Sequence, residues 1–390
     1  MKAGNYSAER RDHHSRRALL SASHLLLSTS SLLLILLLAT TGVAQTPSAG
    51  GVSWRYTLLG TIGPSYLIRM DLERNGEVLQ GSYLYERAGV VRPGSNRIAL
   101  TGRIDSAGRV SLDELTEGDG TARRRTGEFS GALSEVVIDG QPQINFAGTW
   151  TRLRDGRKLP FKLQEIGEYR LFSGGSRLTS RERREDDRLL NYTIRHRLPV
   201  LGGPDSAFNR HLSGVVDSLT TGFKRDIVEL RRDDQRRASE IPPGSLEIDY
   251  VIVQATSELL SLQLSIYSYT GGAHPNSATR SINWDLRRER EFDLTDLFTP
   301  GSAFGRIIAD YCRRELGRLD IGDSSWISRG TAFSTENYLR WNPTRAGLRV
   351  TFDPYQVAAY AQGAFEVVVP WSLLRPYLRP GLLFLSEKTL

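Results

Sequence analysis

The hydrophobic period of this chain changes between its two halves, and that change constrains the fold more than any other feature. From about residue 52 to 165, apolar residues alternate with polar ones in short runs broken by turn residues, and no helical period appears. Leu67-Ile-Arg-Met-Asp-Leu runs into Asn75-Gly76, Gly81-Ser-Tyr-Leu-Tyr follows, and Gly127-Glu-Phe-Ser-Gly-Ala-Leu and Ile144-Asn-Phe-Ala-Gly-Thr-Trp come later. A period of two marks a strand with one buried face. Seven or eight such runs at regular spacing predict an all-β antiparallel barrel or sandwich over residues 52–170. The repeated pairs Gly81/Tyr83, Gly127/Phe129 and Gly148/Trp150 put glycines at bends, with aromatics that fill the core or line a cavity.

Beyond this region the grammar differs. Residues 173–188 are rich in Ser, Gly and charge and are expected to be a linker. From 189 to 390 strand runs alternate with helical ones. Phe208, Leu212, Val215, Val216, Leu219, Phe223, Ile227 and Leu230 hold a 3.6 period, which predicts a long amphipathic helix. Leu246 to Val253 and Leu259 to Tyr269 read as a hairpin, and Thr279 to Leu286 as a third antiparallel strand. Further helices are expected around Cys312 and from Trp371. Hairpin strands kept apart from long helices predict an α+β domain built on an antiparallel sheet with two long helices.

The N-terminus has its own pattern. Arg10, Arg11, Arg16 and Arg17 precede an apolar run from Leu19 to Leu38, which ends in Gly42-Val43-Ala44-Gln45. A basic flank, an apolar run and small residues form the order of an export signal, so residues 1–44 are expected to be a signal peptide cut after Ala44. The alternative is an uncleaved signal anchor, because Leu25 to Ala44 is about long enough to span a bilayer. The expected location is periplasmic or extracellular, or membrane-anchored and facing outside the cytoplasm. Removing residues 1–44 takes away five basic and two acidic residues and lowers the formal charge from +7 to +4. The remaining charges are interleaved, as in Arg181 to Arg188, which is the pattern of a solvated surface and not of a nucleic-acid stripe. Cys312 is the only cysteine, so no intrachain disulfide forms; its helical neighbours make it a small core residue.

For chemistry the sequence offers little. Residues 45–390 contain three histidines, His196, His211 and His274, none spaced with another as ligands on one element. There is no Gly-x-Ser-x-Gly elbow and no Gly-Lys-Ser/Thr phosphate loop. No cofactor or metal is expected. His274 lies in Tyr269-Thr-Gly-Gly-Ala-His-Pro-Asn, where Gly271 and Gly272 supply unusual torsions. It has three readings: a structural fixture of the turn, a ligand contact, or an acid–base group working with Asp285 or Asp296, with or without a metal. Asp293 and Asp296 read as turn and capping residues, and Tyr355 and Tyr360 as packing or as an aromatic platform for sugar or peptide.

Several stretches together resemble a known family. Tyr269-Thr-Gly-Gly-Ala-His-Pro-Asn, Ile282-Asn-Trp-Asp-Leu, Phe292-Asp-Leu-Thr-Asp-Leu-Phe, Leu348-Arg-Val-Thr-Phe-Asp-Pro-Tyr-Gln-Val-Ala-Ala-Tyr-Ala-Gln-Gly and Val369-Pro-Trp are similar to bacterial envelope domains of poorly defined function. Such domains occur in the extracytoplasmic part of lysozyme-sensing anti-sigma factors and ahead of the catalytic domain in some peptidoglycan deacetylases. Tyr192 to Ile227 looks like the companion module that precedes them, so the resemblance covers about residues 189–385. It implies an exported binding or sensing protein that recognises a cell-wall component or a foreign protein such as a lysozyme-like hydrolase. On that resemblance Tyr269, Gly271, Gly272, His274, Asn276, Tyr355 and Tyr360 are the candidate ligand-binding residues. The alternative is an envelope hydrolase using His274 with Asp285 or Asp296. The chain departs from both known settings. Eighteen residues precede the apolar run, where an anti-sigma factor carries a folded cytoplasmic domain. Thr351-Phe-Asp353 is followed by Pro354 where a deacetylase motif has a second aspartate, and no His-x-x-x-His exists.

Overall fold

The computed structural model describes residues 53–91, 97–117, 123–138, 141–167, 172, 175–233 and 242–382. The expected export signal lies outside these residues.

Eight strands close an antiparallel up-and-down barrel. They are β1 (Ser53–Ile62), β2 (Tyr66–Asn75), β3 (Val78–Tyr85), β5 (Ile98–Ile104), β6 (Arg109–Glu117), β7 (Arg123–Ile138), β8 (Gln141–Arg152) and β9 (Lys158–Glu165). Closure comes from β9 pairing back on β1, with Ile62 opposite Phe161 and Leu58 opposite Glu165. The period-two pattern does what it predicts: Ile68, Met70 and Leu72 turn inward, and so do Phe161 and Leu163. The interior is filled, not hollow. Tyr83, Phe129, Phe161 and Phe146 form an edge-to-face chain with ring centroids 5.3, 5.2 and 4.7 Å apart. The aromatics of the Gly-x-aromatic pairs are therefore core, and the cavity-lining alternative does not hold for them. Glu114 also points inward, where it accepts from Tyr83 Oη (2.7 Å), Trp150 Nε1 (2.9 Å) and Thr126 Oγ1 (2.7 Å). Burial, together with Tyr85 and Glu114 as neighbours, pushes the Tyr83 phenol well above its usual range, so it stays a donor.

Tight coiling requires glycine where two strands nearly touch. Gly131 faces Gly148 across β7 and β8, and a Cβ on Gly148 would stand 2.1 Å from the Ser130 carbonyl oxygen. Gly148→Ala is expected to destabilise the protein by about 2–3 kcal/mol through this overlap, measured as a lower urea midpoint.

The remaining barrel-region strand, β4 (Gly89–Val91), leaves the barrel and pairs elsewhere, as described below.

The second region begins with β10 (Leu178–Asp187) and β11 (Tyr192–Leu201), paired antiparallel from Leu178 opposite Leu201 to Asp187 opposite Tyr192. Residues 178–187 are thus a strand where a linker was expected. Every position after Leu178 is exposed or half-buried, so no apolar alternation marks the strand. The helix α1 (Ala207–Asp233) follows, and then β12 (Gly244–Ala255) pairs parallel to β11, with Ile194 opposite Leu246. A parallel pair needs a crossover, and α1 provides it. This pair departs from the expected antiparallel pattern; the other pairings in the sheet are antiparallel. β13 (Leu259–Tyr269), β14 (Asn276–Asp285) and the short β15 (Arg290–Glu291) complete a six-stranded sheet in the order β10-β11-β12-β13-β14-β15. The helical stripe Phe208, Leu212, Val216, Phe223 and Ile227 packs on Ile194, Ile248, Leu264 and Ile282. Leu230 falls at its fading end, 40% exposed.

After α2 (Phe304–Leu316) and α3 (Ser324–Gly330), a second sheet lies on the opposite, polar face. It contains β16 (Trp341–Pro343), β17 (Gly347–Phe352) and β18 (Phe365–Pro370), in the order β16-β17-β18-β4. Ile308, Cys312 and Leu316 of α2 are buried among Val350, Val367 and Val369, and burial pushes the Cys312 thiol far above its usual range. The helix expected from Trp371 is the single turn α4 (Trp371–Leu374), because Pro376 lacks the N–H a longer helix requires.

Three features join the barrel to this region. β4 pairs on β18, with Val90 opposite Val367. Leu59 and Ile166 belong to the same apolar cluster as Ile252 and Ile248. Arg345, in the turn between β16 and β17, bonds to Glu86 and to the carbonyls of Gly60 and Ile68.

Candidate functional site

The β13–β14 hairpin sets the site. Tyr269 ends β13 opposite Ser245, Asn276 begins β14 opposite Ser268, and the turn between them passes through Gly271 at φ 108°. That torsion suits glycine because it has no Cβ. His274 is exposed at the tip, with Nδ1 3.0 Å from the Pro275 carbonyl. A carbonyl only accepts, so in this bond Nδ1 carries a proton and donates. The Tyr360 hydroxyl donates to the same carbonyl at 2.6 Å.

Those shared bonds hold three rings together. The His274 imidazole stacks on Tyr360 with centroids 4.5 Å apart and planes 27° apart, and Tyr355 leans on Tyr360 at 5.3 Å. Tyr355 is 55% exposed and has φ 73°, a left-handed conformation that costs a residue with a Cβ about 1–2 kcal/mol. Its carbonyl accepts from the indole N–H of Trp326, on α3, at 2.8 Å. Of the residues proposed from the sequence, His274, Tyr355 and Tyr360 come together as one aromatic platform. Gly271, Gly272, Tyr269 and Asn276 belong to the turn and ladder that carry it.

One ring of the platform, Tyr360, lines a groove of about 420 Å³ together with Pro354 and Ala364. Its floor is the polar face of the sheet, in two cross-strand rows: Glu247, Tyr267, Ser277 and Asp249, Ser265, Thr279. Asp353 closes one side. It accepts from Thr279 N (3.2 Å) and Thr279 Oγ1 (2.7 Å) and pairs with Arg340 at 2.6 Å. Asp249 pairs with Arg197, and Glu247 stands 3.9 Å from Arg195. Hydroxyls and carboxylates below, with aromatic faces at the rim, suit a ligand carrying both C–H surface and hydrogen-bonding groups. Sequence reading missed Trp326, Tyr267 and Asp353. Asp353 follows β17 within the Leu348–Gly363 stretch, where its only sequence signal is its place in Thr351-Phe-Asp353.

The proposed acidic partners of His274 lie elsewhere. Asp285 ends β14, which His274 precedes, so a strand length of about 30 Å separates them. Asp285 caps a turn, accepting from Arg287 N (2.9 Å) and Arg288 N (2.8 Å). Asp296 accepts from Asp293 N at 3.0 Å and from Arg290 at 2.9 Å. Burial opposes its charge, but the Arg290 bond and the Asp293 backbone hold Asp296 below its usual value. The pairing of His274 with Asp285 or Asp296 is therefore overturned by strand geometry. His211 bonds Glu291 at 2.9 Å, and His196 faces Thr220 at 3.4 Å. Among the described residues no three His, Cys, Asp or Glu side chains gather as metal ligands.

Known proteins share this second region. Residues 185–277 match the family model described as deacetylase PdaC, and residues 295–372 match that of a protein family of unknown function, DUF3298. The peptidoglycan-N-acetylmuramic acid deacetylase PdaC of Bacillus subtilis (strain 168) is 24% identical over 196 residues, 50% of this chain and 40% of that protein. The chain thus spans well under half the length of the curated relative it matches. A solved DUF3298 member from Bacteroides fragilis is 19% identical, covering 54% of this chain and 96% of its own with a TM-score of 0.43. One from Pseudomonas aeruginosa PAO1 is 17% identical, covering 53% and 94%, with a TM-score of 0.39. The Gly-Gly-Ala-His motif falls in the deacetylase PdaC match and the Pro-Tyr-Gln-Val-Ala-Ala-Tyr motif in the DUF3298 match, so the resemblance is to a DUF3298 domain family found with peptidoglycan-deacetylase-like proteins.

Proposed function

We propose that this chain is an exported cell-envelope protein that binds a wall glycan at the His274–Tyr360–Tyr355 platform. The observation that carries this reading is Tyr355: a large aromatic, exposed, held in a left-handed backbone and leaning on Tyr360, which lines the groove. Strain kept at an exposed residue serves recognition better than packing. The floor hydroxyls of Ser265 and Ser277 supply hydrogen-bonding partners, and Ile266, Pro354 and Ala364 apolar surface, for a sugar. Support for the envelope comes from the export-type order of residues 10–44 and from a relative named for action on peptidoglycan. Binding is favoured over hydrolysis because His274 bonds a backbone carbonyl and Asp285 is a strand length away.

Calorimetric titration of the purified chain with soluble peptidoglycan fragments tests this. Saturable binding is expected, weakened about tenfold by Tyr360→Ala, the order of a lost aromatic contact. Tyr355→Gly separates binding from folding. It relieves the left-handed strain, so thermal stability holds or rises by up to about 1 kcal/mol while affinity falls. Silence towards wall fragments, with capture of a lysozyme-like hydrolase instead, would overturn the glycan reading in favour of a protein ligand. Release of acetate from peptidoglycan by the purified chain would overturn the non-catalytic reading.

A further inference from the structure

A second groove lies on the other face of the six-stranded sheet, between the β10–β11 hairpin and α1, with a volume of about 600 Å³. That falls in the range of small-molecule sites. It exists because of what β10 presents to the helix. Arg181, Arg183 and Glu185 stand opposite Leu198, His196 and Ile194 in the ladder, so the outermost strand turns charge towards α1 where β11 turns two aliphatic side chains and an imidazole. The helix answers with Ser213, Asp217, Thr220 and Thr221, and the two walls do not close on each other.

The charges in this groove are unevenly satisfied. Lys224 pairs with Glu185 at 2.6 Å, and Arg184 pairs with Asp186 at 2.7 Å. Arg181 and Arg183 make no ion pair among the described residues. Two residues apart on one strand face, their Cα atoms stand about 7 Å apart. Two guanidiniums at that spacing suit a carboxylate and a neighbouring oxygen on one ligand. Leu198 and Val216 supply an apolar patch between the walls, and the helix hydroxyls line the opposite rim.

We propose that this groove binds an acidic sugar, with Arg181 and Arg183 taking its carboxylate and the α1 hydroxyls its ring oxygens. The site is separate from the aromatic platform and does not depend on it. Burial first, and then the Arg183 charge, hold the His196 imidazole below its usual range, with Glu185 and Asp217 opposing and Lys224 adding to the shift. A bound anion beside the ring reverses part of that shift and favours proton uptake by His196, so affinity rises as the pH falls.

The test titrates the full chain with N-acetylmuramic acid and with N-acetylglucosamine, which lacks the lactyl carboxylate. The acidic sugar is expected to bind at least about tenfold more tightly, as a charge-assisted bond requires. The R181Q/R183Q variant, changed only at exposed positions, is expected to abolish that preference and the pH dependence. The Y355A/Y360A variant is expected to keep both, which separates failure here from failure of the platform. Equal affinity for the two sugars, unchanged binding by R181Q/R183Q, or binding only of an acidic dipeptide such as alanyl-glutamate would overturn the proposal.

Discussion

Arg345→Ala is expected to destabilise the protein by about 3–5 kcal/mol, the cost of stranding a buried charge. Arg345 and Glu86 are only 12% and 8% exposed, and the guanidinium contacts Glu86 Oε2 at 3.0 and 3.1 Å. Its NH2 group also donates to the carbonyls of Gly60 (3.0 Å) and Ile68 (2.8 Å), on β1 and β2 of the barrel. Truncation removes every one of these donors at once and leaves the Glu86 carboxylate in a dry site. The expected readout is a lower urea midpoint by circular dichroism, with the loss shared by the barrel and the α+β region. Arg345→Ala combined with Glu86→Gln is expected to recover part of the loss, because the stranded charge is gone. Arg345→Lys is expected to recover less, since an ammonium cannot reproduce the planar fork. A loss under about 1 kcal/mol would mean the pair behaves as an exposed one.

Asn342→Leu is the second large effect, expected at about 3–5 kcal/mol, from several buried polar groups each costing about 1–3 kcal/mol when unpaired. Asn342 is fully buried where β16 crosses the polar face of β13 and β14. Its Nδ2 donates to Ser261 Oγ and to the Leu262 carbonyl, both at 2.9 Å. Its Oδ1 accepts from Ser281 Oγ (3.0 Å) and from Arg349 (3.1 Å). Ser261 in turn donates to Asn283 at 2.6 Å, and Asn283 donates to the Trp341 carbonyl at 2.8 Å. Leucine fills the volume and satisfies none of these groups, so the network fails as a unit. Asn342→Asp tests the account from the other side. It keeps the shape and the Arg349 contact while losing the Nδ2 donors, so a smaller loss is expected. Equal losses for Leu and Asp would count against the network as the cause. Chemical denaturation with near-ultraviolet circular dichroism reads both.

Much of the architecture is legible in the sequence because burial imposes a period. The barrel strands alternate, and the α1 stripe repeats every three or four residues, so both can be read without a structure. β10 hides because an outermost strand with polar groups on both faces has no apolar period to show. β4 hides because Gly89-Val-Val is too short to carry one. The parallel partnership of β11 and β12 depends on where α1 returns the chain, which no local pattern records. The candidate site divides in the same way. Tyr355 and Tyr360 lie 81 and 86 residues after His274, yet all three fall in the motif stretches and meet in space. Asp285 and Asp296 are nearer in sequence and fail as partners because a whole extended strand intervenes.

The three residues of β4 decide where this chain can be cut. A fragment begun after the barrel would look complete by sequence, since the motifs and both long helices would be present. It would nevertheless expose the backbone of Glu366, Val367 and Val368, which β4 covers in the intact protein. A bare strand edge with valines beside it is a template for intermolecular pairing. Fragments made for production or crystallisation should therefore retain Gly89–Val91, or place a charged residue or proline on β18 in its stead.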